Sequence, residues 1–383
     1  MLGPIWSDPL SVGMTHRVWW VEDALHGADA AWAEALAGLE GHAIAFVDTG
    51  VLQAWPEAAE RLHACMRPAS DRLDLQTVEP MPGGEACKDG MSHATRVAMA
   101  CLDHGVSRRG CVVAMGGGAV LDAVGLGAAM AHRGVPVLRL PTTTLAQDDS
   151  AMGVKCGVNA AGQKNALGAF GAPHGVICCE RLLASLPQEH WLGGFSEAVK
   201  IALLKDAAML ERLEQDAARV VARDMDAARP ILRRSAALHR EHILHGGDPF
   251  ELGHGRPLDH GHWAAHRLEA LSGWALPHGQ AVSVGLALDA CVAHALGWLD
   301  RATRDRVIRL LQALGLPVWH PMLKPVERLL EGLEQFRQHL GGELAVPLLR
   351  RLGQAADATE LPLAALTAAV ETLEHAHGHA VAR

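Results

Sequence analysis

Apolar and polar positions follow two different rhythms along this chain, and the change between them divides it. Ala43-Ile44-Ala45-Phe46-Val47 is an uninterrupted apolar run that stops at Asp48-Thr49-Gly50, as a strand buried on both faces would stop. Cys111-Val112-Val113-Ala114-Met115 is a second such run, ended by Gly116-Gly117-Gly118 and followed by small and apolar helix formers from Ala119 to His132. Val135 to Leu140 predicts a third strand, closed by Pro141. Strand, glycine turn and helix in this order predict an α/β N-terminal domain built on a Rossmann-like, doubly wound parallel sheet. From about Leu182 the rhythm becomes helical, with long stretches of Ala, Leu, Arg and Glu such as Ala207 to His245 and Trp263 to Ser272. An all-α C-terminal domain is expected there. The boundary falls between Pro173 and Pro187, giving an α/β domain over 1–180 and a helical domain over 181–383.

The 383 residues suffice for two ordinary cores. A net charge of −9 and a pI near 6.2 supply no basic face to track nucleic-acid phosphates, although local Lys and Arg can still hold a small phosphorylated ligand. Met1 to Arg17 lacks the pattern of a signal peptide, and no stretch of roughly 20 apolar residues could span a bilayer. Eight cysteines without CxxC spacing fit a reduced cytoplasm, as small core residues. The 23 histidines say more, because they crowd between His239 and His278.

Gly116-Gly117-Gly118 with Asp122 sits where a strand opens into a helix. Backbone N–H groups there can approach a pyrophosphate, although the spacing is not GxGxxG and a tight turn uses the same residues. Asp48 stands where a dinucleotide fold places an acid on the ribose, and equally where a turn places a cap. Glu85 and Lys88 alone would read as a solvated pair. Pro141 to Asn165, PTTTLAQDDSAMGVKCGVNAAGQKN, carries Asp149, Lys155, Lys164 and Asn165 among small and apolar residues, which suggests a lined cleft more than a solvated loop. Glu197 and Lys200, three residues apart, read by default as a surface ion pair. His262 and His266 share a helical face, and His278 opens the next helix. One carboxylate with imidazoles and an open position describes a catalytic zinc site.

In order along the chain, GGGxxxD, PTTxxAxxDSxxGxK, GVN, KN, Glu-x-x-Lys and GHxxxHxxE resemble the sugar phosphate cyclases of the 3-dehydroquinate synthase superfamily, from about Asp48 to Gly279. The resemblance implies that Asp48, Glu85, Lys88, Gly116, Gly117, Gly118, Asp122, Thr142 and Thr143 contact NAD. It implies zinc, or cobalt in its place, on Glu197, His262 and His278. It places Asp149, Lys155, Lys164, Asn165, Lys200 and His266 in the substrate pocket. Arg133 matches an arginine that reaches the neighbouring subunit's site, which implies a homodimer. The implied chemistry is transient oxidation by NAD+, β-elimination of phosphate, reduction, ring opening and intramolecular aldol closure, with no net redox change.

Two departures bear on the substrate. Dehydroquinate synthases carry Asn where Asp259 stands, and a lysine and an arginine upstream that read a carboxylate. Here His242 to Phe250 contains no lysine, and Arg256 is near the arginine position but one residue out of register. The C-terminal Asp-Lys-Lys signature is replaced around Phe336-Arg337-Gln338-His339. Asp259 resembles the valiolone synthases, whose substrate carries a hydroxymethyl group instead of a carboxylate, whereas His266 follows the dehydroquinate pattern. Sedoheptulose 7-phosphate is therefore the favoured substrate and the dehydroquinate precursor the alternative. An NAD- and metal-dependent polyol or alcohol dehydrogenase is a third reading, disfavoured by Glu197 as first ligand and by the Lys155, Lys164, Asn165 set.

Overall fold

The computed structural model describes residues 13–27, 30–246 and 256–381, without the side chains of residues 339 and 379–381. The three apolar runs form β2 and two of its companions. The strands are β1 (Val18–Val21), β2 (Gly41–Asp48), β3 (Leu73–Met81), β4 (Cys111–Gly116), β5 (Val137–Pro141), β6 (Lys155–Ala160), β7 (Gln163–Phe170) and β8 (Gly175–Cys179). Six of them make one parallel sheet in the order β1-β8-β5-β4-β2-β3, and β6 with β7 form a separate antiparallel hairpin. The helices of this half are α1 (Ala30–Leu36), α2 (Thr49–Ala54), α3 (Ala58–Ala69), α4 (Ser92–Asp103), α5 (Gly118–Met130) and α6 (Thr144–Asp148).

Period-two alternation sends successive side chains to opposite faces of the sheet. Ile44, Phe46, Val112 and Ala114 join a core with α4 and α5, while Ala43, Ala45, Val47 and Val113 join another with α1 and α3. Both faces are covered, which is why these strands read as continuous apolar runs. β2 leads outward to β3, whereas β4 leads the opposite way to β5. The crevice at the carboxyl ends of β2 and β4 is thus the switch point where such sheets bind ligands.

The second half is helical, as its rhythm implied: α7 (Gln188–Lys205), α8 (Ala207–Val221), α9 (Met225–His245), α10 (His262–Leu271), α11 (His278–Ala295), α12 (Arg301–Ala313), α13 (Glu327–His339) and α14 (Leu363–Val381). The single stretch read from Ala207 to His245 is two helices. Arg223 takes a left-handed φ of 64°, and Asp224 caps α9 by accepting from the Asp226 N–H. Within this half one element was not anticipated, an antiparallel hairpin of β9 (Val346–Arg351) and β10 (Gln354–Ala358). Val346, Leu348 and Leu349 of β9 pack into the helical core. No described helix is long and apolar enough to cross a membrane.

Candidate functional site

A cleft of about 1570 Å³ runs between the carboxyl ends of the sheet strands and helices α7, α10 and α11. That exceeds the few hundred to about 1,000 Å³ of a typical small-ligand pocket, leaving room for two ligands side by side. One end is built by the glycine turn. Gly117 is the N-cap of α5, and a Cβ on Gly118 would lie 2.6 Å from Ser150 Oγ, so only bare backbone fits beside the helix N-terminus. Thr143 caps α6, its hydroxyl accepting from Ala146 N–H at 3.0 Å, and Thr142 is buried beside it. Asp48 caps α2, Oδ1 accepting from Gly50 N–H at 2.8 Å, so the cap reading describes it and the side chain still faces the cleft. Burial raises its pKa, only partly offset by the Gly50 and Gly117 amides.

Lys88 is buried, and its ammonium lies 2.6 Å from Asp122 Oδ2 and donates to Asn165 Oδ1. Burial alone would lower its pKa; Asp122 and Glu85 outweigh that and raise it, keeping the ammonium charged. Asn165 holds a left-handed φ of 53°, which Asn tolerates better than most residues, and its N–H donates to Asn159 Oδ1 at 3.0 Å. Asn159 in turn donates to Glu85 Oε2 at 2.7 Å. The hairpin turn Ala161-Gly162, both at positive φ, supplies the two-residue geometry that brings Lys155, Lys164 and Asn165 to one edge of the cleft. Lys155 stands exposed at that edge.

At the other end α7, α10 and α11 bring Glu197, His262 and His278 together, with one ligand atom from each within 4.8 Å of the others. Glu197 Oε1 is 3.5 Å from His262 Nε2 and 3.7 Å from His278 Nε2. Tetrahedral ligands at about 2.0–2.2 Å from a zinc ion are separated by roughly 3.3–3.6 Å, so this triangle suits such an ion. Glu197 Oε1 is buried and accepts no hydrogen bond among the described residues, an arrangement a cation would satisfy. His262 Nδ1 faces the His260 carbonyl at 3.1 Å, and His278 Nδ1 faces Glu269 Oε2 at 3.2 Å, leaving each Nε2 lone pair for the ion. Burial, then Lys200, His266 and His278, push the His262 imidazole well below its usual pKa, toward the neutral ligand form.

Glu197 and Lys200 are not on the surface. Lys200 Nζ is 2.5 Å from Glu197 Oε2, and both side chains are at most 2% exposed. Burial works against the Lys200 charge, but Glu197 and Asp149 outweigh it. His266 lies with its ring 5.5 Å from that of His262. Arg256 Nε and Asp259 Oδ2 form an ion pair at 2.9 Å at the cleft wall.

Gly116 does not line the cleft: it ends β4, where a Cβ would press on Val120 at 2.7 Å. Arg133 is exposed and outside the cleft of its own chain. Arg337 does not replace a lost basic contact; it pairs with Glu334 at 2.6 Å and donates to the Gly342 carbonyl. Residues 247–255, part of the lysine-free stretch, and the His339 side chain lie outside the described residues. Three contributors were missed. His239 Nδ1 is 2.9 Å from Asp149 Oδ1; burial opposes the Asp149 charge, but His239 and Lys200 hold its carboxyl well below the usual range. Glu269 stood in the GHxxxHxxE pattern without a role. Asp148 is fully buried, and burial, Asp149 and Glu197 push its pKa well up. His239 had a signal in the histidine crowding; Asp148 had none.

The 3-dehydroquinate synthase N-terminal family model matches residues 78–193 and the C-terminal one residues 194–338. The 3-dehydroquinate synthase of Azotobacter vinelandii is 37% identical over 293 residues, 76% of this chain and 79% of that one. The 2-epi-5-epi-valiolone synthase of an Actinoplanes species is 36% identical over 293 residues, 75% of this chain and 73% of that one. The structure of ValA, a 2-epi-5-epi-valiolone synthase from Streptomyces hygroscopicus subsp. jinggangensis with NAD+ and Zn2+ bound, superposes with a TM-score of 0.87 at 29% identity, covering 97% of this chain and 99% of that one. A matched pair of domain models across most of the chain leaves one conclusion: this protein belongs to the 3-dehydroquinate synthase family.

Proposed function

We propose that this protein is a phosphate-eliminating sugar phosphate cyclase that uses NAD and a divalent metal, zinc or cobalt, and acts on sedoheptulose 7-phosphate to form a valiolone-type cyclitol. The observation that carries the substrate choice is the Arg256–Asp259 ion pair. A carboxylate on the substrate would meet Asp259, and the arginine that could receive it is already engaged; an unpaired carboxylate in a partly desolvated cleft is costly. A hydroxymethyl group accepts and donates hydrogen bonds there without that repulsion. The near-equal identities to a dehydroquinate synthase and a valiolone synthase do not favour either substrate.

The cofactor set follows from the fit of the two ends of the cleft and from the NAD+ and Zn2+ bound in ValA. When bound, NAD would accept and return a hydride, and the metal would polarise a substrate hydroxyl and carbonyl. Gly117, Gly118, Thr142, Thr143, Asp48, Glu85, Lys88 and Asp122 would seat the dinucleotide, with Gly116 shaping the turn from behind. Glu197, His262 and His278 would hold the metal. Lys200 keeps a fixed positive charge at the metal end, and Asp149, kept ionised by His239 and Lys200, accepts hydrogen bonds from substrate hydroxyls beside His266. Lys155, Lys164 and Asn165 take the phosphate from the hairpin edge.

Arg133 would serve a second copy. His132 and Arg133 both adopt left-handed φ just after α5. α4 packs along α5 and against this turn, and Met99, Leu102 and Met130 expose apolar surface there, which suits a homodimer contact. A cytoplasmic setting agrees with eight buried cysteines.

The test is phosphate release and product mass from purified protein with NAD+ and Zn2+, offered each substrate separately. Phosphate and a C7 cyclitol from sedoheptulose 7-phosphate alone are expected. Release only from the carboxylated precursor would overturn the substrate choice in favour of a dehydroquinate synthase; net NADH from a simple polyol would make it a dehydrogenase.

A further inference from the structure

Glu269 is a fully buried carboxylate on α10 that touches both ends of the reaction machinery. Its Oε2 is 3.2 Å from His278 Nδ1, and its Oε1 is paired with the Lys164 ammonium. Lys164 Nζ is also 3.1 Å from His278 Nδ1 and 3.6 Å from Glu85 Oε1. The hairpin and the metal-binding helices thus meet at one carboxylate.

The donor inventory limits what this cluster can do. An ammonium only donates, and a neutral imidazole carries its proton on one nitrogen. With His278 Nε2 free, Nδ1 can accept from Lys164. With Nε2 on a metal, Nδ1 must carry the proton and can only donate, and Glu269 is the acceptor in reach. The Lys164–His278 contact is then lost, and Glu269 divides its charge between the imidazole and the ammonium.

We propose that Glu269 is a positioning residue that couples the metal to the phosphate: an ion on His278 draws the Glu269 carboxylate toward Nδ1–H and releases Lys164 to the substrate phosphate. The inference rests on the proposed roles of His278 and Lys164. By linkage the effect is reciprocal, so phosphate tightens the metal as the metal tightens phosphate. The metal-loaded protein then takes up sugar phosphate in preference to the metal-free one.

Calorimetric titration of the full chain with inorganic phosphate, metal-free and zinc-loaded, tests this in the wild type, Glu269→Gln and Glu269→Asp. In the wild type zinc should tighten phosphate about ten-fold, in the usual range for coupled sites. In Glu269→Gln the metal-free affinity should rise toward the zinc-loaded value and the zinc effect should fall below about two-fold. That gain is one that simple loss of structure would not give. Glu269→Asp, which keeps the buried charge but shortens its reach, should show a reduced zinc effect and serves if the Gln variant does not fold, as judged by NAD+ binding. An undiminished zinc effect in the folded variants would mean direct contact between phosphate and metal and would overturn the coupling. A wild type that binds no zinc would overturn the metal-site reading itself, and the coupling with it.

Discussion

Gly279 packs directly on Gly193 where α11 crosses α7, one turn before Glu197 and one residue after His278. A Cβ on Gly279 would lie within 2.7 Å of the Gly193 carbonyl carbon and nearer still to its Cα and oxygen, whereas a Cβ on Gly193 would meet only Gly279 Cα at 3.8 Å. The two substitutions should therefore differ. Gly279→Ala is expected to cost about 1–3 kcal/mol in denaturant unfolding and to weaken zinc, because the helices carrying two of the residues proposed to hold it must part. Gly193→Ala should be close to neutral in both measurements. Equal effects would mean that the crossing does not set the metal site.

His262 supplies one of three atoms around a small triangle of donors. His262→Ala should abolish both bound zinc, measured by metal analysis of the purified protein, and turnover. Full metal occupancy in that variant would exclude the site as drawn.

Arg133 lies outside the cleft of its own chain, so the role proposed for it in a second copy can be tested by mixing variants. Arg133→Ala and His262→Ala should each be inactive alone. Denatured together at equal amounts and refolded, half the dimers should be hybrids with one intact site of two, restoring about a quarter of wild-type activity. No recovery, from a mixture shown to form hybrids, would place Arg133 in its own subunit's chemistry or outside the reaction.

His16 is pushed down to about 4 by burial, then by Arg240 and Arg139, and its Nδ1 accepts from Arg240 Nε at 3.3 Å. Between pH 6.5 and about 4 the unfolded chain binds a proton at this residue that the folded chain does not. Stability should therefore fall as the pH drops through that window. His16→Gln, neutral throughout, should show a shallower decline in unfolding free energy between pH 7 and 4.5. An unchanged slope would show that His16 does not contribute to it.

The sequence by itself determined the parts whose signal is local. β2 and β4 were legible because strands covered on both faces must be apolar without a break, and β5 because Arg139 alone interrupts its apolar run, buried and donating to the Ala151 and Gly153 carbonyls. The His262–His266 face and the opening of α11 at His278 were legible because helical spacing fixes neighbours one turn apart. β1, β3, β8 and the β9–β10 hairpin left weaker traces: β1 is only partly buried, β3 mixes polar and apolar positions, and two-stranded pairs carry little pattern. Tertiary structure alone decided which charges are buried and with whom. Glu197 with Lys200 read as a surface pair and Glu85 with Lys88 as a solvated one, yet Lys200, Glu197 and Lys88 are all buried. Lys88 meets Asn165 across 77 positions, Lys164 meets Glu269 across 105, and Glu180 joins Arg229 across 49. Spacing along a helix or strand encodes geometry over a few residues. Contacts over such separations depend on how helices cross, and where α11 meets α7 that crossing is set by the absence of a side chain at Gly279.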